Sequence, residues 1–416
     1  MIAPVLSPPH TVDFDLYGLV GIRAVSHRSE DCAAVAQALG PIQQRLSRDP
    51  DIIVRFVDHI EPAESMCLIG GHDCGFSGDQ FFIVRGKNKS TIRVQIPFED
   101  IGGRCEIVCE SGLRSIPLLI EIINLTALQQ GAIPLHASAF EFNGHGILCA
   151  GWAQGGKTET LLGFMANGAR YIGDEWVYVQ ENSMFGIPEP MHIRDWHIDD
   201  LPGFRQRLDW RDRLKMCCLR MAAGSVERVG SAKPMNWLVP SRSTQRLASL
   251  LNRQRYLEVL PNALFDTPIT NPCGQLEHVL FVISHDSPEY RVEPVDVNFV
   301  IKSLGAALEQ ERSHLLEKYR MFQFAFPDRH NLRISAAGQA EADLLRARLS
   351  HLPASIVYHP YPMSPVRLFE AIAPLFRARS TISHRIGITI RSENTGLDSM
   401  VSGKLLLSAP LAAAKA

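Results

Sequence analysis

The chain has 416 residues, 46% of them apolar and 21% charged, the composition of an ordinary globular protein with room for two or three cores. Its 42 basic and 44 acidic side chains nearly cancel, to a formal charge of -2, which argues against a surface built for nucleic acid. It has no run of eighteen uncharged apolar residues, so no membrane partner is expected, and its first residues, rich in Pro4, Pro8 and Pro9, do not read as a signal peptide.

Residues 1–12 read as a leader, and residues 13–131 as a β-rich domain. Its strands are predicted in "DLYGLVGIRAVS", "DIIVRFVDHI", "QFFIVRG" and "TIRVQIPF", β-branched or aromatic runs bounded by Gly, Asp and Pro. One helix, "EDCAAVAQALGPIQQRL", interrupts them and stops near Gly40-Pro41. A second, Ser115 to Gly131, leads into the next domain. From Ala132 strands alternate with longer helical segments, the pattern of an α/β unit, continuing to residue 378. Its later pieces are the strands "HVLFVIS", "YRVEPVD" and "ASIVYHPYP" and the helices "DVNFVIKSLGAALEQERSHLLEKY", "GQAEADLLRARLSHL" and "SPVRLFEAIAPLF". Residues 379–416 lose periodicity and read as a flexible tail. The nine cysteines show no C-x-x-C spacing and sit on scattered apolar stretches, which predicts reduced thiols and a cytoplasmic protein.

The chemistry concentrates in one stretch, "HASAFEFNGHGILCAGWAQGGKTETLLGFMANGARYIGDEWVYV", from His136 to Val179. Within it, Gly151 to Thr158 fits G-x-x-x-x-G-K-[ST]. Glycines let such a loop turn its amides onto phosphate oxygens, the lysine adds a cation, and the hydroxyl reaches Mg²⁺. A chance match in a chain of this length has a probability on the order of one in a hundred. The context adds specificity, because the strand "GILCA" precedes the loop and a helix from Lys157 to Gly168 follows it. The next strand, "ARYIG", should run parallel to the loop strand and carry Asp174 and Glu175 at its C-terminal end, where α/β sheets bind ligands. A carboxylate there can hold Mg²⁺ or take a proton from an attacking hydroxyl.

Counting places His136. Asn143-Gly144 is a two-residue hairpin turn, and stepping outward from it sets His136 opposite Gly151. The histidine then sits beside the loop, either as part of the site or as a satisfied strand-end residue.

This order of histidine, hairpin, glycine loop, helix, Gly-Ala-Arg, strand and acidic pair resembles the catalytic core of the HPr kinase/phosphorylase family and of related bacterial serine-kinase-like proteins. More distantly it is similar to the phosphate loop of phosphoenolpyruvate carboxykinase. The close match covers about a tenth of the chain. The resemblance implies an α/β fold with a P-loop kinase-like core of that type behind the β-rich N-terminal domain. It implies ATP and Mg²⁺ as cofactors, with nucleotide contacts from Gly151, Gln154, Gly155, Gly156, Lys157, Thr158 and Glu159, and Thr158 and Glu175 at the metal. Asp174 falls on the base, with His136 near the γ-phosphate and Lys157 on the transferring phosphate. Two positions depart from the family pattern: Glu175 stands where a second Asp is usual, and Gln154 where Gly is usual. "MHIRDWHIDD", Met191 to Asp200, is where the grip on a protein substrate is sought, and its Arg194 either neutralises phosphate or lies on a surface strand.

The expected activity is transfer of the γ-phosphate of ATP to a hydroxyl, serine foremost, of a protein or peptide acceptor. The alternatives are a small-molecule kinase and a catalytically silent nucleotide-sensing module. The partners are therefore nucleotide and phospho-acceptor, with homo-oligomerisation left open.

Overall fold

The computed structural model describes residues 9–377 except 41, 72, 86–90, 219–220, 222–255, 266–268 and 270–271. Both the leader's first eight residues and the segment 379–416 read as a tail lie outside the described residues. The protein is mixed α/β, built on two large mixed sheets.

The first sheet takes its eight strands from residues 10–110: β1 (His10–Leu16), β2 (Val20–Ser26), β3 (Ile52–Val57), β4 (Cys67–Ile69), β5 (Cys74–Ser77), β6 (Gln80–Arg85), β7 (Thr91–Gln95) and β8 (Cys105–Glu110). Their order is β1-β2-β3-β8-β7-β6-β5-β4. The run "DLYGLVGIRAVS", expected as one strand, is a hairpin, because Tyr17 and Gly18 both turn through positive φ, 54° and 75°. Helix α1 (Ser29–Leu39) makes the crossover that lets β3 pair parallel to β2. Helix α2 (Leu119–Gln129) follows β8 and is buried on most of its residues.

The second sheet comprises β9 (Ile133–Phe142), β10 (His145–Gly151), β11 (Arg170–Gly173), β12 (Trp176–Gln180), β13 (Ser183–Gly186), β16 (Cys273–Gln275), β17 (His278–His285), β18 (Arg291–Pro294) and β19 (Ala354–Pro360). A separate ribbon pairs β14 (Met191–Arg194) with β15 (Tyr256–Val259). The Asn143-Gly144 hairpin has the counted register, running from His145 opposite Phe142 to Ala150 opposite Ala137. The strand β11 does run parallel to β10 in direction, but β9 lies between them, antiparallel to both. The parallel neighbour of β10 is β17.

Alternation along these strands sends side chains to two cores. Ile147 and Cys149 of β10 and Leu280 and Val282 of β17 pack with Leu161, Leu162 and Phe164 of α3 (Lys157–Met165) and with Leu368 and Ile372. Leu148, Ala150, Val279 and Phe281 point the other way, onto α7 (Val297–Ala325) and α8 (Leu332–Leu349). Shorter helices are α4 (Asp195–Asp200), α5 (Pro202–Arg207), α6 (Pro261–Leu264) and α9 (Pro365–Ile372). The 29-residue α7 serves both sheets: Val300, Ile301, Leu304 and Leu308 cover the second, while Leu315, Tyr319 and Phe322 enter the core of the first.

Among the described residues no helix is long and apolar enough to cross a membrane.

Candidate functional site

The loop between β10 and α3 is shaped by close backbone approaches. A Cβ on Gly151 would meet the Val282 carbonyl oxygen at 2.6 Å, and one on Gly156 the His359 ring at 2.7 Å. Gly156 also has φ 100°, a conformation open to glycine and costly for other residues. Gln154 is the exception, a non-glycine at φ 61°. The left-handed backbone at this position explains why glycine would suit it. Gly156 caps α3 without a side-chain bond, and the N-terminal end of the helix opens on the loop.

Lys157 is 6% exposed, and its Nζ donates to the carbonyl oxygens of Trp152 at 3.0 Å and Gly151 at 3.4 Å. Burial lowers its pKa, although the carboxylates of Glu175 and Asp174 partly restore the charge. The Thr158 hydroxyl donates to both oxygens of Asp174, at 3.0 and 3.2 Å. The Glu159 carboxylate meets His197 Nε2 at 2.9 Å at the same cleft.

Asp174 and Glu175 lie where the edge of β9 changes partner, from β12 along Ile133–His136 to β11 beyond Ala139. The chain breaks its strand there. Glu175 adopts φ 66°, its carbonyl accepts from the Ala137 amide, and Trp176 N donates back to the Asp174 carbonyl. This kink sends two consecutive side chains into one site, where a regular strand would send them to opposite faces. Asp174 is 1% exposed, and burial with the adjacent Glu175 charge raises its pKa far above the carboxylate range. For Glu175 burial pushes upward too, but the bond from His136 prevails and holds it low.

His136 faces Glu175 through Nε2 at 3.0 Å and Glu311 of α7 through Nδ1 at 2.6 Å. Burial works against its charge, yet the two carboxylates outweigh burial and raise its pKa to about 9. Behind the acidic pair, Glu189 Oε1 is buried with no hydrogen-bond partner. Burial, with the charges of Glu175 and Asp174, pushes its pKa well above the usual carboxylate range.

His136, Glu175 and the loop from Gln154 to Glu159 line an open cleft with His192, Arg194, Trp196, His197 and Tyr361, and Asp174 is buried next to it, bonded to Thr158. The ribbon strand β14 therefore sets Arg194 and His192 across from the glycine loop. His192 Nδ1 lies 3.6 Å from Glu175, and the Arg194 guanidinium stacks over Trp196 at 5.1 Å. All the residues singled out by the glycine-loop pattern, the acidic pair and the hairpin count thus meet around one cleft or directly beneath it.

Three contributors, His359, Glu311 and Glu189, carry no local sequence signal, and His192 lies in the Met191–Asp200 stretch singled out above. His359, fully buried at the end of β19, faces the Gly155 carbonyl oxygen at 2.8 Å and props the loop from below. Glu311, Glu189 and His192 come from elements whose placement follows from tertiary packing alone. An arrangement of a glycine-capped helix N-terminus, a buried lysine, a hydroxyl and carboxylates suits a phosphate group with a divalent cation. Among the described residues no three His, Cys, Asp or Glu side chains are grouped to hold a metal by themselves. A Mg²⁺ ion here would accordingly use Thr158 and a carboxylate and take its remaining ligands from phosphate and water, its usual manner of binding.

In comparisons with known proteins, no protein-family model and no curated protein matches the chain.

Proposed function

We propose that this protein is an ATP- and Mg²⁺-dependent kinase with a P-loop core like that of HPr kinase/phosphorylase, transferring the γ-phosphate to a hydroxyl, serine foremost, of a protein or peptide. The observation that carries the reading is the bond from Thr158 of the glycine loop to the buried Asp174, with Lys157 and His136 at the same cleft. A loop hydroxyl and a strand-end carboxylate recur together at the phosphates of P-loop enzymes, and an aspartate takes the acceptor proton in protein kinases.

In this reading the amides from Gly155 to Thr158 and the Lys157 ammonium hold the β- and γ-phosphates. Lys157 exchanges its two carbonyl partners for phosphate oxygens. A Mg²⁺ ion would be held by Thr158 with Glu175 and would neutralise charge on the phosphates. The acceptor oxygen attacks the γ-phosphorus, the bond to the β-phosphate oxygen breaks, and the acceptor proton passes to Asp174. A carboxylate with a raised pKa is the better base for that proton. His136 and Arg194 face the charge that spreads over the transferring group.

The test combines transfer and binding. Wild type incubated with γ-labelled ATP and lysate is expected to label protein. Asp174→Asn should keep the Mg-ATP thermal shift and lose transfer by roughly 10²- to 10⁴-fold. Thr158→Ala should weaken the Mg²⁺-dependent shift itself. Equal loss of binding in both variants would make Asp174 a metal residue and sink the base assignment. Label on metabolites would favour a small-molecule kinase, and binding without any turnover a nucleotide sensor.

A further inference from the structure

His136 is gripped from two sides, and one of the grips comes from far away in the chain. Glu175 belongs to the cleft beside the glycine loop. Glu311 lines a different groove, with Glu121, Trp176 and Leu315. Its carboxylate reaches Nδ1 at 2.6 Å, while Glu175 holds Nε2 at 3.0 Å. The Trp176 ring packs 5.7 Å from the imidazole on a third side. A ring with a carboxylate at each nitrogen cannot turn or slide without breaking a charge-assisted bond, and such bonds are about twice as strong as neutral ones.

The origin of Glu311 adds a second consequence. It lies mid-way along α7, one turn before Leu315. From Leu315 onward the buried face of α7, with Tyr319 and Phe322, belongs to the core of the first sheet. Glu311 therefore sits where α7 passes from the second core, at Leu308, to the first, at Leu315, while the ring it holds belongs to the second sheet. We propose that Glu311 is a positioning residue, which fixes the His136 imidazole against Glu175 and ties the geometry of the candidate site to the first sheet through α7. The kinetic consequence rests on the phosphotransfer reading above; the clamp does not.

Glu311→Gln in the full chain keeps the side-chain size and removes the anion, and Glu311→Asp keeps the anion on a shorter stem. The first readout is the His136 ring signal in nitrogen-proton NMR, assigned by its disappearance in His136→Gln. Wild type should show a downfield Nδ1 proton that Glu311→Gln loses. The second readout is transfer kinetics. Loss of a group that orients a functional histidine should lower kcat on the order of 10- to 100-fold, with KM for Mg-ATP within about twofold. Glu311→Asp should fall between the two. An unchanged ring signal in Glu311→Gln overturns the clamp. A changed signal with unchanged kcat overturns the positioning role, as does a rise in KM alone, which would make Glu311 a nucleotide contact. If wild type transfers no phosphate, the kinase reading fails, and the ring signal still decides the clamp.

Discussion

At the scale of single residues, the site works by setting neighbouring acids to different tasks. Asp174 and Glu175 are consecutive, yet burial and its neighbour's charge drive the first upward while His136 holds the second down. Separated affinities of this kind let one carboxylate take protons while the other stays charged. His136 makes this measurable through stability. Its pKa is raised to about 9 from an ordinary 6.5, so the folded state holds the proton more tightly than the unfolded chain. Its contribution is complete below about pH 6.5 and is lost as the pH climbs through about 9. The ligand-free wild type should therefore lose melting temperature across that window relative to His136→Gln. Parallel melting curves for the two proteins would show that the histidine carries no proton-linked stability. The sequence supplied this histidine through a turn count, since Asn-Gly fixes hairpin register within a few residues. It did not supply Glu311, because no local rule joins residues 175 positions apart.

At the scale of elements, caps and kinks hold the parts in place. Asn331 opens α8 by accepting from the amides of Arg333 and Ile334. Its Nδ2 donates to the carbonyl oxygens of Phe98, Glu99 and Ile101, so one buried side chain both caps the helix and fastens it to the first sheet. Asn331→Ala removes the cap and strands buried carbonyls, at a cost of roughly 2 kcal/mol. Asn331→Ser keeps a capping oxygen and loses the reach to the three carbonyls, so it should cost an intermediate amount. Urea midpoints check this ranking, and equal loss in the two variants would assign the whole effect to the fastening bonds. The helices themselves were legible, since α9 falls within its expected span and α1 and α7 overlap theirs, α7 running on past Tyr319 to Ala325. The kink at Glu175 was not, for no residue there announces a left-handed backbone; the switch of β9 from one partner strand to another imposes it.

At the scale of the whole molecule, α7 makes the two sheets share their stability. Phe322 is 1% exposed and stacks on Phe98 at 5.3 Å in the core of the first sheet. Phe322→Ala should cost about 3–5 kcal/mol. Of the described tryptophans, Trp152, Trp196 and Trp210 lie outside the strands and core of the first sheet, while Trp176 of β12 packs against that core. Tryptophan fluorescence, read in a Trp176→Phe, Trp237→Phe background, thus follows elements outside the first sheet. If the helix couples the sheets, the fluorescence-detected melting temperature should drop in Phe322→Ala together with the far-UV circular dichroism transition. A fluorescence transition that stays at the wild-type temperature would mean that the sheets melt independently.

The glycine loop, its flanking strand and helix, the acidic pair and the histidine were all determined by sequence. Each depends on contacts within one hairpin or one strand-loop-helix unit, where spacing alone dictates geometry. The α/β class was legible for the same reason, from the alternation of short β-branched runs with helical periods. Tertiary structure decided what meets the loop from outside it: His359 beneath Gly155, Arg194 and His192 across the cleft, Glu311 behind His136, and β9 between β10 and β11. Those contacts join residues far apart in the chain, and only the burial of two sheets against one long helix selects them from the many pairings that the same residue types allow.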